Sequence, residues 1–174
     1  MTRDLDEQGG YQPGHILSRS SREGFAKRTL KNLAFIEAVR AGDEPADVHV
    51  VTQLVLSMLG LVVIQWERRA FDSALASGFQ RALQTDLARF GGPELHGMQD
   101  NYAQRCTTVG VLVKHLRNAV SHGRFVFSGE SRALEDVSIT FFDENRKTGE
   151  TWTATIDGVD LREFCIRLAR FIPA

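Results

Sequence analysis

Residues 116–124 read LRNAVSHGR: an arginine, an asparagine and a histidine stand in the last turns of an amphipathic pattern that Gly123 then ends. At about 100° per residue, Leu112, Val113, Leu116 and Val120 fall within about 60° of Val109, which makes a helical core stripe. Asn118 comes out about 180° away from Val109 and His122 about 220°, with Lys114 and His115 on that outer side and Arg117 and Ser121 on the shoulder. Val111, at about 200°, is an apolar residue on the polar face and suits a subunit interface. The pattern predicts a helix from about Asn101 to His122, with Gly123 as its left-handed stop. A buried structural histidine belongs on the apolar stripe, and His122 is not there. Spacing alone leaves two readings open: an outward polar cluster with a task, or solvated cations that the helix dipole favours by about 0.3–1 kcal/mol.

Upstream, residues 22–41 carry Phe25, Leu30, Leu33 and Ile36 at mostly helical spacings, with Ser21 as N-cap and Gly42 as the stop. A second helix, from about Asp47 to Val63, is apolar on most of its circumference and is expected as the spine. A third covers FDSALASGFQRALQTDLARF (71–90), where Phe71, Leu75, Phe79, Leu83 and Leu87 recur at i+4. GGPELHGMQ (91–99) reads as a loop. Beyond Gly123 the period shortens. RFVF (124–127) and SITFF (138–142) read as strands, ENRKTG (144–149) as a turn, and TWTATI (151–156) as a partner strand turning Trp152, Ala154 and Ile156 to one face. A last helix, from about Val159 to Ile172, points Leu161, Phe164, Leu168 and Phe171 inward. The expected fold is mainly α: an antiparallel helical bundle over residues 21–174 with a small β-hairpin inserted before the C-terminal helix, preceded by a flexible arm over residues 1–20.

At 174 residues one domain is the economical reading, and it buries roughly two thirds of its unfolded surface. Hydrophobic residues at 43% and charged residues at 25% exclude a disordered chain. Cys106 and Cys165 lie far apart with no CxxC or mixed Cys/His spacing, which suggests neither zinc nor a disulfide framework and fits a reducing cytoplasm. The N-terminal MTRDLDEQGGYQPGH lacks the apolar core of a signal peptide. The longest apolar run, residues 50–66, is interrupted by Gln53, Ser57 and Gly60, so it reads as a core helix with no membrane span. A net charge of −1 argues against strong non-specific nucleic-acid binding, so any contact with RNA must be local.

The residue types of the motif form a coherent chemical set. Histidine moves protons in both directions near neutral pH. Arginine stays charged and grips phosphate through parallel hydrogen bonds, so it can stabilise charge growing on a phosphoryl group. Asparagine can orient either. Such a set suits RNA cleavage without metal, in which a 2′-hydroxyl attacks the neighbouring phosphate. One histidine cannot easily be both base and acid in a turnover, whereas two motifs meeting across a twofold axis can divide the roles. Other constellations carry less. No HExxH or carboxylate at ligand spacing accompanies His115 and His122, so no metal site is expected. DENRKTG (143–149) starts like a calcium loop, but Ala154 stands where a bidentate glutamate belongs. The basic run of Arg19, Arg22, Lys27, Arg28 and Lys31 reads as a solvated helix face, with RNA guidance as a lesser alternative.

Arg117 to His122, R-N-A-V-S-H, resemble the R-x4-6-H signature of the HEPN superfamily. TLKNLAFIE (29–37), VTQLVLSMLGLVVIQWE (51–67), LRNAVSHGRF (116–125), ITFFDENRKTGETWTATI (139–156) and DLREFCIRL (160–168) extend the likeness over roughly residues 25–172, to the compact single-domain HEPN family named after a plasmid-borne protein. The resemblance implies an all-helical bundle, a homodimer with the two motifs facing each other, and cofactor-free, metal-independent endoribonuclease activity in toxin–antitoxin or antiphage-defence settings. It implies that Arg117 binds phosphate and stabilises the transition state, Asn118 is the polar partner and His122 the acid/base. Lys114, Ser121 and Arg124 stand where they can contact substrate. An antitoxin or a nucleotidyltransferase is the kind of regulator such settings bring. However, HEPN toxins silenced by AMP transfer carry a tyrosine two residues after the histidine, and Arg124 occupies that position here. The competing reading is a catalytically silent HEPN dimer that serves as a binding, antitoxin or scaffold module, because fold alone does not give function.

Overall fold

The computed structural model describes residues 31–32, 34, 50–58, 60, 73–131 and 133–171. The expected N-terminal arm and most of the helix expected over 22–41 lie outside these residues, whereas the middle of the helix expected from Asp47 to Val63 lies within them and is helical. Of the basic run only Lys31 lies within them, and it is exposed on a helix. Besides the helical residues 31–32 and 34, five α-helices have both ends among the described residues: α1 (Val50–Met58), α2 (Ser73–Gln84), the single-turn α3 (Leu87–Phe90), α4 (Val109–Ser121) and α5 (Gly158–Ala169). Four strands, β1 (His96–Asp100), β2 (Phe125–Phe127), β3 (Ser138–Asn145) and β4 (Glu150–Asp157), form one sheet in the order β1-β4-β3-β2, and all its pairings are antiparallel. A 3₁₀ turn, Leu134–Asp136, leads into β3.

This corrects the expected helical bundle. The hairpin of β3 and β4 is the centre of a sheet, and α4 lies between that sheet and α2. Period-2 patterning builds the hairpin: Ile139, Phe141 and Asp143 on β3, and Trp152, Ala154 and Ile156 on β4, turn to the covered face, and all six are buried. The tight turn closes through Gly149, whose φ of +72° lies in the left-handed region, with its N–H donating to Asn145 O at 2.8 Å. β1 occupies residues expected to be loop. It joins the outer edge of β4 with a register shift between His96 and Gln99, where Gly97 takes φ +58°.

Two helix boundaries also move. The i+4 stripe over residues 71–90 is interrupted after Gln84, because the Asp86 carboxylate caps a new helix by accepting from Ala88 N (2.9 Å) and Arg89 N (3.3 Å). The α4 helix begins at Val109 rather than Asn101, with Thr108 as N-cap. The preceding segment is held out of the helix by the Asp100 carboxylate, which accepts from Tyr102 N (3.0 Å) and Cys106 N (2.8 Å). The predicted stop holds: His122 is the C-cap residue and Gly123 has φ +63°. In α5, Leu161, Phe164 and Leu168 are buried as expected. Phe171 lies past the end of α5 and is 42% exposed, with its ring 5.5 Å from that of Phe90.

The first turn of α4 crosses the end of α2 at very close range. A Cβ on Gly110 would lie 2.8 Å from Leu83 O and 3.3 Å from Leu83 Cβ. The nearer obstacle is backbone, so relief requires the two helices to move apart. Gly110→Ala is therefore expected to destabilise the protein by about 1–3 kcal/mol despite alanine's better helix propensity. A lower urea midpoint at unchanged slope checks it.

Candidate active site on the fourth helix

The inner stripe of α4 is as the periodicity requires: Val109, Leu112, Val113 and Leu116 are fully buried and Val120 nearly so. The outer side divides. Val111 and His115, expected toward solvent or a second subunit, are buried at 6% and 1% exposure, and His115 lies against Asp143 of β3 and Trp152 of β4. Farther along, Arg117 and Asn118 are half-buried, and Ser121 and His122 are exposed at the C-terminal end of the helix.

Asp143 is the residue that organises the covered side. It is 4% exposed, and its Oδ2 accepts from His115 Nδ1 at 2.8 Å, Asn118 Nδ2 at 3.0 Å and the Tyr102 hydroxyl at 3.3 Å. Burial works to raise the Asp143 carboxyl, but the hydrogen bonds, led by that of His115, hold it below the usual carboxylate range. The His115 ring is clamped in turn, stacked on Trp152 at 4.8 Å with its plane within 6°, and met edge-on by Tyr102 at 4.7 Å. Burial, with the Asp143 charge next, pushes the Tyr102 hydroxyl up to about 12, so it remains a donor.

From this buried base the contacts lead outward into the motif. Asn118, fixed at Nδ2 by Asp143, accepts through Oδ1 from Arg117 Nη1 at 2.6 Å. His122 lies one turn farther and donates its backbone N–H to Asn118 O at 3.1 Å. Among the described residues no hydrogen bond engages its imidazole. Of the sequence-predicted residues, Arg117 and Asn118 are thus joined directly, and His122 follows them on the exposed end of the helix.

The remaining candidates are placed differently. Lys114 sits with Nζ 5.5 Å above the Tyr102 ring, a cation–π contact that ties it to the Asp143 network. Arg124 pairs with Glu144 on β3, Nη2 to Oε2 at 3.6 Å, so its charge is already partly answered. Ser121 is exposed at the helix end. The cysteines offer no nucleophile: burial, reinforced at Cys106 by Asp100, pushes both thiols up to about 12. Among the described residues no group of three or more His, Cys, Asp or Glu could hold a metal ion, and no helix is long and apolar enough to cross a membrane.

Sequence reasoning missed Asp143, although a signal was present. Its parity with Ile139 and Phe141 places it on the inward face of β3, and a carboxylate on an otherwise apolar inward row needs partners. In comparisons with known proteins, the family described as HEPN pEK499 p136 matches residues 14–173. No curated protein and no solved structure matches.

Proposed function

Because the chain belongs to the HEPN pEK499 p136 family, we propose that it is a metal-independent endoribonuclease, acting as a toxin or antiphage-defence effector. The observation that carries this is the state of the motif: Arg117 is held by Asn118 on a buried carboxylate, while His122 stands exposed one turn beyond. An anchored guanidinium and, farther along the same helix, an exposed imidazole supply the groups for phosphate binding and proton transfer.

In the proposed reaction the imidazole of His122 takes the proton of a ribose 2′-hydroxyl, whose oxygen attacks the adjacent phosphorus. A 2′,3′-cyclic phosphate forms as the P–O5′ bond breaks, and the departing 5′-oxygen takes a proton from the partner subunit's His122. Arg117 stabilises the charge that gathers on the non-bridging oxygens. The division of acid and base between two copies is the physical ground for a homodimer.

Single-stranded RNA incubated with the protein in EDTA is expected to be cut to products with cyclic-phosphate ends. RNA left intact at every protein concentration would remove the proposal. One observation favours the silent-dimer reading instead: Arg117 and Arg124 both already have partners within the protomer. Under that reading Arg117→Ala converts dimer to monomer, which sedimentation distinguishes from loss of cutting alone.

A further inference from the structure

Asp143 is buried, lies on a strand, and stands 21 to 26 residues beyond the motif in sequence, yet one of its three donors, Asn118, belongs to that motif. A carboxamide is a donor at one end and an acceptor at the other. An ionised carboxylate only accepts, and a guanidinium only donates. Asn118 sits between one of each, with Nδ2 3.0 Å from Asp143 Oδ2 and Oδ1 2.6 Å from Arg117 Nη1. The opposite flip would set oxygen against oxygen and N–H against N–H at those distances. We propose that Asp143 is a positioning residue: it locks the Asn118 amide in the orientation that presents Oδ1 to Arg117, and so fixes the guanidinium for the phosphodiester.

The support is rigid at every step. Asp143 is held by His115 and Tyr102 as well as by Asn118, and His115 is sandwiched against Trp152 of β4. The sheet therefore reaches through α4 to the side chain that meets substrate, and β3 contributes to the site without touching RNA. Hydrogen bonds to an ionised acceptor in a water-poor setting are the stronger kind, which suits a lock. Only the last link, to the phosphodiester, rests on the ribonuclease reading above.

Two variants of the full chain test the lock. Asp143→Asn keeps the shape but gives position 143 both a donor and an acceptor, so either flip of Asn118 becomes tolerable. Asn118→Asp keeps the acceptor for Arg117 but sets carboxylate against carboxylate. This second change lies on a half-buried helix position and carries the test if the first variant does not fold. In ¹⁵N-labelled protein the Asn118 side-chain NH₂ signals, identified by their loss in Asn118→Ala, are expected to exchange with solvent about tenfold faster in Asp143→Asn than in wild type.

In metal-free RNA cleavage, Asp143→Asn and Asn118→Asp are each expected to lower kcat by up to about 100-fold with KM little changed. Adding Asp143→Asn to Asn118→Ala should produce no further loss, because both act through one amide, whereas independent effects multiply. Unchanged NH₂ exchange, full-rate cutting by Asn118→Asp, or a multiplicative double variant each overturns the proposal. A wild type that cuts no RNA ends the ribonuclease reading, and the amide exchange alone then decides whether Asp143 holds Asn118.

Discussion

His122→Ala is expected to lower the rate of EDTA-resistant RNA cleavage by about 10²–10⁴-fold while leaving the urea midpoint at its wild-type value. The two halves of this expectation have separate physical grounds. Catalytically, no other exposed imidazole stands on α4 to move the proton. Structurally, the contribution of His122 to the helix end is made by backbone: its N–H donates to Asn118 O, Gly123 N–H to Val120 O and Arg124 N–H to Ala119 O. Alanine preserves all three. The other histidine of the helix provides the contrast, because His115 is 1% exposed and hydrogen-bonded to Asp143, so His115→Ala should unfold or soften the protein as well as slow it. Single-turnover cutting and a denaturation curve on the same preparation separate the cases. Wild-type cutting by His122→Ala would remove His122 from the chemistry.

Elements that announce themselves by period were legible in the sequence. The stripe of Val109, Leu112, Val113, Leu116 and Val120, the alternation of Trp152, Ala154 and Ile156, and the left-handed stop at Gly123 each follow from local geometry, and each is found in place. β1 was not legible. HGMQD (96–100) has no β-branched residue and includes a glycine, so it is a strand only because β4, some fifty residues away, supplies its hydrogen-bond partners. The outer face of α4 misled for a related reason: a helical wheel sorts residues by type and cannot report whether a polar face meets water or a second layer. Val111 suggested a subunit contact, yet it is buried within the single chain, and the protein's own sheet holds its neighbour on that face, His115. The Arg117, Asn118 and His122 set is visible from spacing, whereas the carboxylate beneath it lies on another element, one residue past the strand expected over 138–142.

Asp143→Ala is expected to destabilise the protein by about 3–5 kcal/mol at neutral pH, and Asp143→Asn by about 1–2 kcal/mol. Alanine leaves His115 Nδ1, Asn118 Nδ2 and the Tyr102 hydroxyl facing a site with no acceptor, each buried or partly buried. Asparagine keeps a neutral acceptor there and loses only the charge. Acid should erase part of the difference. Burial raises the Asp143 carboxyl, the hydrogen bonds from His115 and Asn118 outweigh it, and the native value is held below the ordinary one. A depressed native value means that the carboxylate's stabilisation is fully present above the unfolded-chain value, about 3.9, and is lost as pH falls below it toward the native one. The gap in unfolding free energy between wild type and Asp143→Asn should therefore be widest near pH 7 and shrink as the solution is taken below about pH 4. Urea titrations of both proteins across that range measure it. A gap that stays constant with pH would mean that Asp143 contributes shape alone, and the charge at the base of the site would have no part in holding α4 to the sheet.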